Sequence, residues 1–212
     1  MYDNMLNEKF NDALVEGIFP TPIYFSHLKR SLTKEEKKLV IQSKKKKVRN
    51  VGNFSSKDHY ILEKKPFKKL KKELFLRVEH FFYNVLCYKN SKPYITQSWL
   101  NYTETNQHHH AHEHPNSIIS GVFYIDADKE NDLILFKNTS YKQLHINIKD
   151  FNKWNSTSWW YPVETGKIVL FPSYLTHQVT SKKGNNTRIS LSFNIFLKGS
   201  LGSNKELTQL QL

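Results

Sequence analysis

The stretch QHHHAHEHPNSIISGVFYI, from Gln107 to Ile125, places five histidines within seven residues directly before a run of alternating apolar residues. In an extended strand, residues two apart face the same side. One face of this segment would therefore carry His108, His110, His112 and His114. Neutral imidazole is a common metal ligand, and two imidazoles two residues apart can chelate one ion. The stretch predicts β-structure with a candidate metal site, and a solvated loop is the alternative.

The chain changes from helical to strand-like patterning at Pro93. Before it, Thr33 and Glu36 have the spacing of a capping box, and a second helix with apolar residues every three or four positions follows Pro66 and runs to about Cys87. After it, the segments with period-two character are TQSWLNYT, IISGVFYIDA, DLILFKN, LHINI, GKIVLFP, THQVTS and TRISLSFNIFLK. GIFPTPIYF, near the N-terminus, is typical of a strand at a sheet edge. This order predicts a mainly β (α+β) fold, a double-sheet or jelly-roll barrel with N-terminal helices packed on one outer face.

The length of 212 residues suits a single domain. We expect that domain to span residues 1–198, with a helical part at about 31–90 and a β body at about 94–198. The polar residues 199–212 are predicted to form a flexible tail.

The long connection from Asn138 to Pro162 is rich in Trp and Tyr. These aromatic residues either pin the connection to the body of the domain or make it a lid or wall of the substrate site.

The composition is basic, with 32 Lys and Arg against 19 Asp and Glu and a net charge of +13. Much of the excess lies in KKKKVR (Lys44 to Arg49) and KKPFKKLKK (Lys64 to Lys72). Such runs form either solvated helix faces or a surface that associates weakly with nucleic acid. The sequence gives no oligomeric state.

The compartment is predicted from what the sequence lacks. It has no apolar run long enough to cross a bilayer and no signal-like N-terminus, so we expect a soluble, cytoplasmic protein with no membrane association. Cys87 is the only cysteine, which excludes an internal disulfide. Its apolar neighbours predict a buried thiol.

A third metal ligand and an anion site are predicted further along the chain. His177 begins a short strand in GKIVLFPSYLTHQVT, and TRISLSFN follows, with Arg188 eleven residues after His177. In that strand Arg188 and Ser190 share one face. An inward-facing arginine needs an anion, and its guanidinium grips a carboxylate in bidentate fashion, while a serine hydroxyl can add a hydrogen bond.

Taken together, HEHPNSIISGVFYI, GKIVLFPSYLTHQV and RISLSFN resemble the 2-oxoglutarate- and iron(II)-dependent oxygenases. The resemblance is to the bacterial and phage branch that carries a His-X-His-Pro-X-Ser then Ser-Gly-Val-Tyr-Tyr signature, and it spans roughly residues 17 to 196. It implies a double-stranded β-helix dioxygenase that uses iron(II), 2-oxoglutarate and O2. The expected activity is that of a hydroxylase, and the unknown substrate is a small molecule, a peptide or a nucleic-acid-linked group.

The resemblance also implies roles for individual residues. His112, His114 and His177 map to the metal ligands, and Arg188 with Ser190 maps to the group that binds the far carboxylate of 2-oxoglutarate. Most members use His-X-Asp or His-X-Glu in place of the first pair. This chain has no acid at that spacing, which leaves either three imidazoles or a contribution from Glu113 through irregular backbone.

The face pattern adds two residues to the predicted site. The Tyr124 hydroxyl could donate a hydrogen bond to the same carboxylate as Arg188. Alternatively, Tyr124 is an aromatic residue of the barrel core whose hydroxyl bonds to another group. Asn101, on a face with Trp99, is expected to border the co-substrate. The histidines from His108 to His110 are expected to be loop residues or supports for the ligands.

Two other functions are compatible with the sequence. A cupin-like metalloprotein would suit three imidazoles, since His-X-His and a distal histidine after a proline also resemble the cupin motifs, but it gives Arg188 no role. A non-enzymatic basic module on the same scaffold would bind nucleic acid with a steep dependence on salt.

Overall fold

The computed structural model describes residues 13–140 and 144–212. In this part of the chain there are two α-helices, α1 (Lys34–Lys45) and α2 (Lys68–Glu79). The strands are β1 (Tyr24–His27), β2 (Val48–Arg49), β3 (Phe54–Ser55), β4 (Ser91–Thr103), β5 (His109–His112), β6 (Ile119–Asp126), β7 (Leu133–Lys137), β8 (Ser158–Pro162), β9 (Lys167–Pro172), β10 (His177–Val179), β11 (Arg188–Leu201) and β12 (Leu210–Gln211). The fold is mainly β, as the sequence predicts.

The strands form two sheets in which neighbours are antiparallel. The larger sheet has the order β1-β9-β6-β11-β4-β3-β2, with β12 beside β11, and the smaller has the order β5-β10-β7-β8. The extended segment before the first helix supplies β1, which lies at the edge of the larger sheet and pairs with β9, as predicted. The histidine-rich stretch supplies β5, at one edge of the smaller sheet.

The helices pack on one face of the larger sheet. Leu70, Leu74 and Val78 of α2 are fully buried and belong to one apolar cluster with residues of β4 and β11. Their partners in the sheet include Leu100, Tyr102, Leu191, Phe193 and Ile195. Within the described residues, no helix has the length and apolarity needed to span a membrane.

A second apolar cluster lies between the two sheets. Its buried members are Tyr124, Ile134, Phe136, Val163, Val169 and Phe171, from β6, β7, β9 and the segment after β8. Side chains alternate along β9, so this strand contributes to both apolar clusters. Ile168 and Leu170 belong to the cluster that contains the helices, while Val169 and Phe171 belong to the second cluster and face the smaller sheet. The larger sheet is therefore covered on both faces, and its polar inner residues lie next to the smaller sheet.

The second helix ends differently from the prediction. After α2 the backbone widens into a π-helix over His80–Val85, which keeps Phe81 and Phe82 in the core. Cys87 then adopts a left-handed conformation with φ of 54° and ends the helical run. The prediction of a buried thiol is wrong, since Cys87 is exposed.

The smaller sheet also differs from the prediction in its last strand. The segment LHINI, which the sequence predicts as a strand, is not one. It has no partner strand, and its apolar residues Leu144 and Ile146 are each 72% exposed. The place beside β7 is taken by β8, where Tyr161 pairs with Ile134. At the C-terminus, β11 continues to Leu201 and β12 pairs with its end, so the boundary predicted at residue 198 falls inside a strand.

The capping box at the start of α1 is confirmed and extends into a charged cluster. Glu36 accepts the Thr33 backbone N–H at 2.7 Å, and Thr33 Oγ1 accepts the Glu36 N–H at 3.2 Å. Arg30 bridges Glu36 at 2.8 Å and Glu73 of α2 at 2.6 Å. The cluster therefore joins the two helices.

We predict that Glu36→Gln lowers the free energy of unfolding by about 1–3 kcal/mol, less than the ~3–5 kcal/mol typical of fully buried pairs because Arg30 is partly exposed. Burial alone would raise the pKa of Glu36, but hydrogen bonds from Arg30 and Thr33 outweigh it and hold the pKa below its usual 4.5. The stabilisation is thus present above pH 4.5 and is lost as the pH falls through the lowered value. Denaturant unfolding at pH 7 and in mild acid measures the difference, and exposed Glu35→Gln is the control. An equal loss at both pH values would contradict this assignment.

Candidate metal centre

Three histidines from two strands come together at the edge of the smaller sheet. His112 and His177 are register partners in β5 and β10, and their ring centroids are 4.3 Å apart. His114 lies just beyond β5, with its Nε2 3.3 Å from Nε2 of His177. One nitrogen from each of the three lies within 4.8 Å of the others. The sequence prediction grouped these three residues, and the structure brings them together.

Backbone carbonyls orient two of the rings. His112 Nδ1 is 2.8 Å from the carbonyl oxygen of His110, and His177 Nδ1 is 3.0 Å from that of Leu175. A carbonyl only accepts, so each Nδ1 carries the proton and each Nε2 keeps its lone pair. Such an outer hydrogen bond is the usual device that fixes a metal-binding imidazole. The third ring, His114, packs against Trp99 with centroids 5.6 Å apart.

The three imidazoles are neutral at pH 7. Burial, followed by the charges of neighbouring histidines, lowers the pKa of His177 to about 2 and that of His114 to about 4. Burial also lowers the pKa of His112. Because metal binding requires the deprotonated ring, these shifts leave the lone pairs available across the physiological range.

Glu113 does not join this group. It is exposed and accepts a hydrogen bond from the Thr176 hydroxyl. The set formed by His112, His114 and His177 therefore contains no carboxylate. A divalent ion held by these three rings alone would keep its full charge, whereas a carboxylate ligand would cancel one unit of it.

Arg188 lies on the inner face of the larger sheet and is 3% exposed. Its Nη2 donates to Thr103 Oγ1 at 3.4 Å, but Nε and Nη1 are buried without a hydrogen-bond partner. Burial lowers the pKa of its guanidinium below the ordinary value, and Tyr124 and Asp132 oppose that shift. A buried guanidinium with unpaired donors is costly, and a carboxylate that accepts from Nε or Nη1, with Nη2 as its second donor, would remove part of that cost.

The other predicted residues form a row across three strands beside Arg188. Ser190 of β11 pairs with Asn101 of β4 on one side and with Tyr124 of β6 on the other. Asn101 donates to Ser192 Oγ at 3.0 Å. Burial raises the pKa of Tyr124 to about 12, so its hydroxyl stays protonated and can donate. All three residues line the same side of the sheet as Arg188.

The seven predicted residues line one small cavity of about 30 Å³. A more open cavity of about 380 Å³ lies outside it, and Trp99, His109, His112 and His114 line both. The inner space admits an ion or a water molecule but not a five-carbon acid. The residue chemistry fits a metal and a carboxylate, and we expect the side chains between the two cavities to move when a longer ligand binds.

His109 lies closer to the candidate ligands than the strand pattern predicts. The sequence predicts either a loop position or a supporting role, and the loop position is wrong, since His109 lies in β5 with its ring centroid 4.4 Å from that of His112. The pairing of β5 with β10 shifts register between His177 and Val179, and this irregularity breaks the two-residue alternation. The run of consecutive histidines was the only signal in the sequence.

The aromatic connection after β7 lies away from these cavities. None of its described residues, 138–140 and 144–162, lines either one. Tyr161 packs on Phe25 of β1 with centroids 4.8 Å apart, while Trp154 and Trp160 are mostly exposed. At Tyr161 the contact pins the segment to the body, which is the first of the two roles predicted for it.

Comparisons with known proteins agree with this geometry. Residues 97–194 match a family described as "Putative 2OG-Fe(II) oxygenase". No curated protein matches the sequence. Among solved structures, a 2OG-Fe(II) oxygenase family oxidoreductase from Burkholderia pseudomallei aligns with a TM-score of 0.52 and 11% identity, covering 81% of this chain and 83% of the other.

Two further structures share the fold. HygX from Streptomyces hygroscopicus, solved with nickel, 2-oxoglutarate and hygromycin B, has a TM-score of 0.56 and 10% identity, covering 82% of each chain. A viral collagen prolyl hydroxylase from Paramecium Bursaria Chlorella virus-1, solved with 2OG, has a TM-score of 0.50 and 12% identity, covering 81% of this chain and 95% of the other. The matched residues 97–194 contain all seven predicted site residues, so the similarity to this oxygenase family covers the whole candidate site.

Proposed function

We propose that this protein is a hydroxylase that holds iron(II) on His112, His114 and His177 and anchors the far carboxylate of 2-oxoglutarate on Arg188. One observation carries the proposal: a guanidinium with two buried, unpaired nitrogens lines the same small cavity as three neutral imidazoles. We also infer that the two sheets are the halves of a double-stranded β-helix.

The three imidazoles would hold the metal through ring nitrogens, which in His112 and His177 are the Nε2 atoms. The carbonyls of His110 and Leu175 keep two of the rings in the tautomer that a metal needs. Bound iron, together with 2-oxoglutarate and O2, would supply the oxidising power for hydroxylation, with 2-oxoglutarate converted to succinate and CO2. The protein's own contribution is to fix the ligands and limit the access of water.

The larger sheet holds the co-substrate. Arg188 would neutralise the far carboxylate through one of the two nitrogens that lack partners together with Nη2, and Ser190 and Tyr124 lie beside it as hydroxyl donors. Asn101 borders the same space from β4. Because these groups lie on adjacent strands of one sheet, their spacing is set by backbone pairing and does not depend on a mobile loop.

Because the three ligands include no carboxylate, the affinity for iron should depend on whether 2-oxoglutarate is bound. Three neutral imidazoles leave the iron with its full double charge, which is costly in a buried site. The charged keto acid of 2-oxoglutarate would offset part of it. We therefore expect iron to bind weakly alone and more tightly when 2-oxoglutarate is present.

The substrate is expected to enter through the open cavity. Its wall combines hydrogen-bonding side chains, among them Asn50, Gln97 and Asn194, with the aromatic ring of Trp99. A polar substrate with a flat or apolar portion suits this lining. The net charge of +13 favours an anionic or nucleic-acid-linked one through long-range attraction.

The two alternative functions have less support. A cupin-like site would use the three imidazoles but leave the buried Arg188 without a partner. A nucleic-acid module would use the exposed lysines and give the imidazoles no role. Weak nucleic-acid association through those lysines is compatible with the oxygenase and is a secondary proposal.

We predict that 2-oxoglutarate stabilises the metal-loaded protein against heat. At a hundredfold excess over the dissociation constant, the added free energy of unfolding is about 2.7 kcal/mol. For a chain of this length that corresponds to a rise in melting temperature of roughly 5–10 °C. Glutarate is the control, because it has both carboxylates but no keto oxygen to reach the metal, and its shift should be smaller. No shift with 2-oxoglutarate, or equal shifts with the two acids, would contradict the proposed function.

A further inference from the structure

The histidine cluster contains a second group of possible ligands beside the one assigned to iron. His109, His110 and His112 each place a ring nitrogen within 4.8 Å of the other two. Their ring centroids are 4.4 to 5.2 Å apart. We call these three residues the outer set, and His112, His114 and His177 the inner set.

The outer set has an unsatisfied nitrogen of its own. His110 Nδ1 is buried and has no hydrogen-bond partner. His109 Nε2 has only the Asn50 side-chain amide nearby, at 3.5 Å. A buried ring nitrogen without a partner is unusual, and a bound cation would satisfy it.

The two sets share His112, and this restricts how they can be filled. His112 Nδ1 points at the His110 carbonyl, so Nε2 carries the one lone pair that the neutral ring can offer. One lone pair serves one ion at a time. A complete outer set therefore takes a ligand from the inner set.

We propose that the outer set is a second binding site for a divalent transition-metal ion of the zinc and copper class, and that its occupancy competes with the inner set for His112. The ligands are all imidazoles, which suit these metals, and both bind such sites more tightly than iron(II) does. All three residues of the outer set are partly exposed, whereas His177 is buried. An ion from solution can thus reach the outer set without passing through the inner cavity.

The test uses zinc alone and removes the inner set first. His177→Ala should bind one zinc ion per chain, measured by calorimetry and by competition with a chromophoric chelator. Adding His110→Ala to that variant should weaken zinc binding at least tenfold. Adding His108→Ala should not, because His108 belongs to neither set. Circular dichroism checks that each variant is folded.

Two results would overturn the site itself. One is that His177→Ala binds no zinc, and the other is that the variant with both His177→Ala and His110→Ala binds it as tightly as His177→Ala does. The competition is tested in the unaltered protein, where the second zinc ion should bind at least tenfold more weakly than the single ion binds to His177→Ala. Equal affinities would show two independent sites and overturn the sharing of His112.

Discussion

Arg188→Met should weaken the binding of 2-oxoglutarate to the metal-loaded protein by about 30-fold to several thousandfold, and leave the metal affinity nearly unchanged. The range follows from the roughly 2–5 kcal/mol lost when one partner of a buried, hydrogen-bonded charge pair is removed, at about 1.4 kcal/mol per factor of ten. Methionine has a similar length and no charge, so the cavity keeps its shape. Calorimetric titration under anaerobic conditions measures both affinities.

The same substitution should stabilise the protein in the absence of ligand, or leave its stability unchanged. Arg188 has two buried nitrogens without partners, so its removal relieves a desolvation cost. A structural arginine would behave in the opposite way and destabilise the fold when replaced. Arg49→Met, at an exposed position in β2, is the matched control for loss of charge. Unchanged 2-oxoglutarate affinity in Arg188→Met would remove this residue from the co-substrate site.

His177→Ala should abolish iron-dependent formation of succinate and lower the iron affinity by more than about a hundredfold, beyond the 10–100-fold typical of groups that only support a ligand. His177 contributes to the inner set from β10, and its ring contacts both His112 and His114. Its removal leaves the inner set with two imidazoles, one from β5 and one from the residues just after it. Iron content after gel filtration and succinate release are the readouts.

The control for this prediction is His80→Ala, an exposed histidine at the start of the π-helix on the other side of the larger sheet. It should retain iron and activity. Circular dichroism and thermal melting distinguish loss of metal from loss of fold. Full iron content in folded His177→Ala would show that this histidine has a structural role.

The sequence predicts the parts of the fold where local pattern and tertiary packing agree. Thr33 and Glu36 satisfy each other within one turn, so the start of α1 is visible without knowledge of the rest of the molecule. Arg188 and Ser190 lie two residues apart in β11, which pairs regularly with β4 at these positions, so alternation places them on one face. Tyr124 joins them as the register partner of Ser190 in β6, a pairing that the sequence alone does not give.

The other features of the fold and of the histidine cluster depend on which strands pair and in which register, and a single sequence does not reveal this. LHINI and SWWYP are both short and rich in strand-forming residues, and only the second finds a partner, through Tyr161 and Ile134. His109 and His110 both approach His112 because the register shifts between β5 and β10. An irregularity of this kind is set by both strands together, so alternation along one of them cannot predict it.

The proposed site requires iron(II) on the inner set and 2-oxoglutarate on Arg188 to lie next to each other. An anaerobic titration with iron(II) and then 2-oxoglutarate tests this directly, when it is followed by visible absorption for the weak charge-transfer band of a chelated keto acid. We expect the band only when both are present, and its loss in Arg188→Met at the same concentrations. Iron binding with no spectral response to 2-oxoglutarate would show that the two do not meet at this site.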